Sequence, residues 1–532
     1  MNFTRRCLFV GLFALIIMLP LFATGGREVS SETADGPKII NIAVSALPAM
    51  LEPGAVINVS MYRVSFNIFD TLIKNDFQSD RGLMPALAES WSYIDSQTLE
   101  LNLRKGVKLH DGSDFKAKDV AATFSDERLM GEGPAVQVTS AQGYWKSFDR
   151  VEIIDDYTVR IHTSAPDGVM AQKLTMPCFQ IISSTAYENA ESFESWAQNP
   201  SGTGPYKIDK WVPEEYLKLT ANPDYWAGKP EADELIFHAV PENSARISGL
   251  VAGDYDIIEG VSPDNFSIIE NSKGCVVSGS PIENMRLVLF NLKKPYMDIY
   301  LRQAMSLAVD RELIVTGLWS DMTDIPKGFQ SASHGEMYIA DHPVPKYDLE
   351  AAKELVKKSV YNGEEIPFFI LNNYYTNEID TCQLLVEMWQ KIGVNVKLTV
   401  MENFTQVNEA GEDGARTYGM RNTSSTALYP DPVSYIWRIN QPTGTVGKHN
   451  GWATLAAGAG EFNELGPKLE SESDIKVRRE IMERMLDIYD QDPPGIILHN
   501  NAIFYGARES LNFVPQHQYY MDFGPQFFST GK

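Results

Sequence analysis

Hydrophobic positions recur along this chain with two periods, and the change from one to the other outlines its architecture. Ile39, Ile40, Ile42 and Val44 make a strand-like run that leads into the loop Ser45-Ala46-Leu47-Pro48, the kind of loop that carries ligand contacts at a sheet edge. From Thr98 to Leu103, leucine alternates with polar residues at 99, 101 and 103. After Lys105-Gly106 the alternation resumes at Val107 and Leu109, which predicts a hairpin with one buried face. A second hairpin is predicted from Val151 and Ile153, the turn Asp155-Asp156, and Val159 and Ile161. Residues 76–199 therefore read as a mixed subdomain rich in antiparallel strands.

The second half takes a helical period. Asp298 and Asp310 each stand where an aspartate oxygen satisfies the free amides of a helix start, predicting helices through Ala308 and Leu318. Asp348 opens another, with Leu349, Ala352, Leu355 and Val356 on one face. Ile379, Cys382, Leu385, Val386, Trp389 and Ile392 follow at helical spacing, stop at Gly393 and feed the alternating strand Val394, Val396, Leu398, Val400. Asp474 opens a last long helix through Ile481, Met482, Met485 and Tyr489, ended by Pro493-Pro494, with a short strand at Ile496 to Leu498. Two α/β lobes with a smaller β-rich subdomain are the architecture this pattern supports.

Length agrees: 532 residues with 44% apolar composition exceed what one core organises, since single cores stop growing near ~250–300 residues. The formal charge of −24 and the lack of any Lys/Arg run resembling a nucleic-acid arm argue against nucleic-acid partners. At the start, Arg5 and Arg6 precede an apolar stretch from Cys7 to Phe22 and the small residues Ala23, Thr24, Gly25 and Gly26. This predicts a secretory signal over 1–23, cleaved after Ala23, then a small, polar leader over 24–37. The stretch is shorter than the ~20 residues that span a bilayer. Beyond it, Cys178, Cys275 and Cys382 are odd in number and widely spaced, which predicts buried free thiols and no disulfide framework.

Several motifs then line up in one order: Asn67 to Leu72 (NIFDTL), Pro85 to Phe124 (PALAESWSYIDSQTLELNLRKGVKLHDGSDFKAKDVAATF), Gly202 to Tyr206 (GTGPY), Asn222 to Gly228 (NPDYWAG), Gly249 to Ile257 (GLVAGDYDI), Leu301 to Asp310 (LRQAMSLAVD) and Tyr429 to Pro432 (YPDP). From about residue 38 to 530 the chain resembles the family 5 extracellular solute-binding proteins of ABC importers, the dipeptide, oligopeptide and nickel type. The resemblance implies an α/β, two-lobed periplasmic-binding-protein fold (type II, large cluster C form) with an extra β-rich subdomain in lobe I. It places lobe I at 38–285, lobe II at 286–498 and a return to lobe I at 499–532, so that the chain crosses twice and the crossings form a hinge. It implies a monomeric receptor outside the cytoplasm, periplasmic or at the cell surface. Such a receptor captures a peptide-sized solute by closing its cleft and hands it to ABC permease subunits, with no cofactor.

The same motifs have local readings. Gly106 and Gly112 supply turns, and Asp111 bonds its own turn, so RKGVKLHDGSDF concerns folding. Tyr225 and Trp226 read as core packing. In peptide binders of the family, an aspartate just ahead of the segment matched by YPDP anchors the peptide ammonium, and Leu428 stands there, which cannot pair with a cation. Asp431, the nearest acid, reads as a turn residue or a ligand contact. Arg416 and Arg421 flank Tyr418, and Arg421 with Asn422, Thr423 and Ser424 forms a polar cluster able to clamp a carboxylate or phosphate. Trp437 and Trp452, with Tyr429 and Tyr435, are stacking candidates or core residues. Asn291, with Leu47, Tyr62 and Thr203 on the lobe I side, completes the ligand-binding set. Two ligand classes stay open, a peptide and an oligosaccharide or acidic conjugate.

Enzymatic motifs are absent: there is no G-x-S-x-G elbow, H-E-x-x-H pair or Walker loop. A secreted hydrolase is disfavoured accordingly. His334 and His342 share a loop, but two histidines eight apart without a Cys partner make a weak metal signature, so no metal is expected.

Overall fold

The computed structural model describes residues 37–54, 59–75, 82–131, 141–372, 374–411, 416–516 and 518–528. The predicted signal segment and nearly all of the leader lie outside them. The strands in chain order are β1 (Ile39–Val44), β2 (Ile73–Asn75), β3 (Leu83–Pro85), β4 (Ala88–Asp95), β5 (Thr98–Leu103), β6 (Phe148–Asp155), β7 (Thr158–Thr163), β8 (Tyr206–Val212), β9 (Tyr216–Ala221), β10 (Glu234–Ala239), β11 (Ile257–Glu259), β12 (Cys275–Phe290), β13 (Ile366–Leu371), β14 (Val396–Met401), β15 (Met420–Thr426) and β16 (Gly495–Arg508). Ten of them make one mixed sheet in the order β14-β13-β15-β12-β16-β11-β1-β10-β9-β8, and four make a separate antiparallel sheet, β4-β5-β7-β6.

Two strands organise the large sheet. β12 and β16 have 16 and 14 residues, against a usual strand of roughly 5–6, and they pair antiparallel along nearly their whole length. The first half of β12 lies against residues 502–508, whose outer neighbour is β11. Its second half lies between residues 495–500 and β15. The register shifts between Pro281 and Met285 and again before Leu287. Within the sheet, β12 and β16 alone join the five strands on one side to the three on the other. The short strand expected at Ile496 to Leu498 is the first part of β16. His499, Asn500 and Asn501 hide its continuation, because they break the apolar pattern where the register shifts.

Local chemistry accounts for the helices. Asp298, Asp310 and Asp348 accept hydrogen bonds from Leu301, Leu313 and Ala351 amides at 2.8, 3.0 and 3.0 Å, starting helices Ile299–Leu307, Arg311–Trp319 and Leu349–Lys358. Glu378–Gln390 ends before Gly393 at φ 80°, and Asp474 caps Ile475–Gln491. The hairpin read from Val151 to Ile161 is present, with Val151 opposite Ile161 and Ile153 opposite Val159. The other needs correction: β5 pairs with β4 upstream and with β7, not with 107–109. Val107 and Leu109 are buried all the same, held by a turn in which Leu109 N–H donates to Ser113 and Lys108 pairs with Asp114.

Leu99, Leu101, Val159 and Ile161 of the small sheet share one continuous core with Leu428, Trp437, Met482 and Met485. Polar contacts reinforce that junction. The Gly168 amide donates to the Glu470 carbonyl at 2.8 Å, and Lys173 Nζ lies 2.6 Å from carboxylate oxygens of both Asp167 and Glu470. Cys178, Cys275 and Cys382 are free and buried, and no described helix is long and apolar enough to cross a membrane.

Candidate functional site

A cavity of about 250 Å³ opens where the helices Val59–Ile68 and Ala141–Tyr144 and the C-terminal segment face β12 and β15. Strand alternation builds its floor. Leu287 and Leu289 of β12 sit opposite Thr423 and Arg421 of β15, so these four side chains share one face of the sheet and line the cavity together. Ser424, Ser425 and Thr426 continue the wall to the end of β15, and Leu428 follows. Tyr374 and Tyr375 enter from the loop after β13, the carboxyl end of a strand parallel to both its neighbours. Tyr62, Tyr144 and Tyr519 close the opposite side, and Arg438 approaches from the helix after Asp431.

The electrostatic character follows from this inventory. Among the described residues the lining includes Arg421 and Arg438 and no Asp or Glu. Arg421 donates through Nη1 to Asn408 Oδ1 at 2.8 Å, and its buried Nε has no partner. Arg438 donates to the Ser434 carbonyl at 2.6 Å, to the Thr426 carbonyl at 3.1 Å and to Ser425 Oγ at 3.3 Å. These neutral acceptors fix both guanidiniums in place without cancelling their charge, so the cavity is a positive one with low-dielectric walls. Burial pushes the Tyr374 hydroxyl up to about 12, and burial with neighbouring Tyr520 and Tyr144 raises Tyr62 further. Tyr62 and Tyr374 thus stay neutral, and the five lining tyrosines offer rings and hydroxyl donors.

Tyr62, Arg421, Thr423, Ser424 and Leu428 of the expected residues line the cavity. The others lie outside it. Asn422 points to the opposite face from Arg421 and Thr423, its Nδ2 bonded to Glu378 at 2.5 Å. Thr203 donates to Asp70 at 3.0 Å within a buried network that also takes Tyr225 and Trp226. Asn291 ties the carbonyls of Arg416 and Tyr418, and Leu47 packs against the core around β1. Asp431 caps its turn through the Val433 amide and pairs with Arg478 at 2.8 Å. Burial raises this carboxyl, while Arg478 and the amide pull it back. Trp437 fills the space above Gly466, where any Cβ would meet its ring at 2.1 Å, and Trp452 donates to the Asp492 carbonyl at 2.7 Å. Tyr429 is enclosed in the same core.

Sequence reasoning passed over Tyr144, Tyr374, Tyr375, Arg438 and Tyr519. The apolar run Ile366–Leu371 just ahead of Tyr374-Tyr375, unread as a strand, was an available signal for one pair. Tyr519 becomes part of the site only through the chain's return along β16. His334 is buried against Tyr435, whereas His342 pairs with Asp490 at 2.9 Å, so the two are engaged separately. Among the described residues no group of three or more His, Cys, Asp or Glu comes together to hold a metal.

Known proteins share this architecture. The di/tripeptide-binding protein 3 of Pseudomonas aeruginosa is 27% identical over 530 residues, covering 93% of this chain and 96% of that one. A glutathione-binding protein of Shigella flexneri is 26% identical over 415 residues, 77% of each. The periplasmic binding protein DppA of Helicobacter pylori superposes with a TM-score of 0.76 at 23% identity, over 90% of this chain and 97% of that one, and so shares the two-lobed α/β fold. Residues 82–447, well over half the chain, match the model of the bacterial extracellular solute-binding proteins, family 5, and the chain therefore belongs to that family of ABC-importer receptors, which bind solutes and are not enzymes.

Proposed function

We propose that this receptor captures a peptide-sized solute bearing a carboxylate or equivalent anion, and that it needs no free ammonium on that solute. One observation carries the reading: two arginines and no acidic side chain line the cavity among the described residues. A free ammonium buried there would lack a counter-charge and cost several kcal/mol, whereas an anion meets two charged donors held in place beforehand. Leu428, at the cavity wall where the family resemblance puts an aspartate in peptide binders, works in the same direction. The volume of about 250 Å³ suits a small solute over an extended oligosaccharide, while the five tyrosines favour one with apolar or ring surface.

Capture proceeds by closure. Lobe I (38–285, with the small sheet inside 76–199, and the return 499–532) and lobe II (286–498) swing about β12 and β16 near the register shift, and the solute favours the closed form by touching both. The receptor acts as a monomer outside the cytoplasm, released or held there by its amino-terminal signal, and delivers its solute to the permease. Nucleic acid plays no part.

A thermal-shift and calorimetry screen tests this with N-acetylated dipeptides, glutathione, free dipeptides and neutral disaccharides. Saturation near 100 times Kd adds about 2.7 kcal/mol of stability. Acetylated dipeptides are expected to bind. Binding by neutral sugars alone, or by dipeptides only when their amino group is free, would reverse the reading.

A further inference from the structure

Arg286 stands out among the enclosed cations. Arg63, Arg128, Arg302 and Arg478 each face a carboxylate, and Arg246 and Arg311 are held by backbone carbonyls. Arg286 is 1% exposed, and neither of its terminal nitrogens has a hydrogen-bond partner. Its guanidinium lies 3.7 Å from the centroid of the Tyr375 ring. Stacking on an aromatic face returns only part of the hydration that a buried guanidinium loses, and it leaves the in-plane N–H donors unmet. A buried, unpaired charge on a central strand of the sheet is a cost that folding alone gives no reason to keep.

Its surroundings connect it with the cavity. The β15 residue opposite Arg286 is Ser424, whose hydroxyl donates to Tyr375 Oη at 3.2 Å, and both Ser424 and Tyr375 line the cavity. Tyr519, a third lining residue, feels the positive charge of Arg286 and Arg63. On the same face of the sheet, two positions along β15, Asn422 Oδ1 also lacks a partner, its Nδ2 being committed to Glu378. An unmet set of donors and an unmet acceptor thus sit together behind the Tyr375 ring.

We infer that Arg286 is a second anion-binding residue, covered by Tyr375 and exposed to the cavity when that ring turns aside, so that the solute carries two separated acidic groups. This rests on the anionic-solute reading and narrows it: one group meets Arg421 and Arg438, the other meets Arg286. Arg286 lies on the sheet face opposite Arg421, so the two subsites flank the end of β15, and a solute with a single carboxylate fills only one.

Two probes separate the subsites by calorimetry: N-acetyl-Ala-Ala, with one carboxylate, and N-acetyl-Ala-Glu, with two. The wild-type protein is expected to bind the second at least tenfold more tightly. Arg286→Gln should lose that advantage while keeping its affinity for N-acetyl-Ala-Ala within twofold, and Arg286→Lys should recover part of it. Without ligand, Arg286→Gln should melt no lower than wild type, because it removes an unmet buried charge. Equal weakening of both probes, no weakening of either, or a lower melting point of the unliganded Gln variant would make Arg286 a structural residue and overturn the inference. Failure of the parent reading is seen separately, in wild-type protein that binds a neutral disaccharide and neither acetylated probe, and this overturns both.

Discussion

Asn284 of β12 donates through Nδ2 to Thr426 Oγ1 of β15 at 2.6 Å, and its Oδ1 accepts from Asn501 of β16. One buried amide therefore ties the two crossing strands to a residue of the cavity wall, beside the register shift where the sheet is least regular. The Thr426 hydroxyl on the cavity wall and the pairing of β12 with β16 are thereby linked mechanically.

Replacing Asn284 by Ala leaves Asn501 and Thr426 each short of a partner inside the protein, which costs about 1–3 kcal/mol. The expected result is a lower urea midpoint with unchanged slope, together with an affinity for the acetylated probe reduced about tenfold, since 1.4 kcal/mol is a factor of ten. Calorimetry giving wild-type affinity in a destabilised variant would separate the crossing from the cavity.

The junction of the small sheet with the helix Ala459–Ser471 rests on Lys173, fully enclosed between Asp167 and the partly exposed Glu470. Lys173→Met strands Asp167 without its cation. Trp145 and Ser147 still donate to that carboxylate at 3.0 and 2.8 Å, so the expected loss is about 3 kcal/mol, at the low end for a broken buried pair. Glu470→Gln keeps a hydrogen-bonding group in wetter surroundings and should cost under ~1 kcal/mol. Equal losses in denaturant titrations would contradict this order.

Glu283 lies inside the register shift, next to Gln518 at 3.3 Å, and burial raises its carboxyl to about 7 from an ordinary 4.5, with Ser333 and Gln518 opposing. Burial likewise holds the nearby Tyr435 and Tyr520 neutral. Between pH 4.5 and 7 the folded protein keeps a proton that the unfolded chain has released, so stability is full below that window, falls as pH rises through it and levels off above. Glu283→Gln removes this slope. At pH 8 the variant should be more stable than wild type by about 2 kcal/mol, allowing for the water that still reaches the site. Parallel melting curves from pH 4 to 8 would show that the carboxyl is already ionised.

These residues also mark what a linear sequence conveys. The caps at Asp298, Asp310, Asp348 and Asp474 were legible because each bond closes within three residues. The partner of β5 was not, because pairing is chosen by burial across the whole sheet, and Val107 and Leu109 satisfied the same alternation without forming a strand. At the site, residues 421–424 were read as one polar cluster, yet a strand sends alternate side chains to opposite faces, so Arg421 and Thr423 reach the floor and Asn422 does not. Asp431 reads locally as a turn, and its cap is local, but its ion pair with Arg478 spans 47 residues. Arg286 gave no signal, because an unmet guanidinium is recognisable only after every neighbour has been placed.

Leu428 gives the most direct test of ligand choice. It is 6% exposed, lines the cavity and follows the hydroxyl-rich end of β15, so a carboxylate there faces into the same space as Arg438. Leu428→Asp introduces the acid that an ammonium requires and sets it near the Arg438 guanidinium, which on the proposed reading meets the solute's anion. Affinity for N-acetyl-Ala-Ala should fall at least tenfold, because the new charge both repels the carboxylate and competes for Arg438. Free Ala-Ala should gain by a similar factor, since its ammonium now finds a partner at the cavity wall. The gain should shrink as pH rises above the peptide's amino pKa near ~8, where the cation is lost. If Leu428→Asp instead weakens both ligands equally, with the fold intact by circular dichroism, this wall position governs packing and not the sign of the charge the receptor accepts.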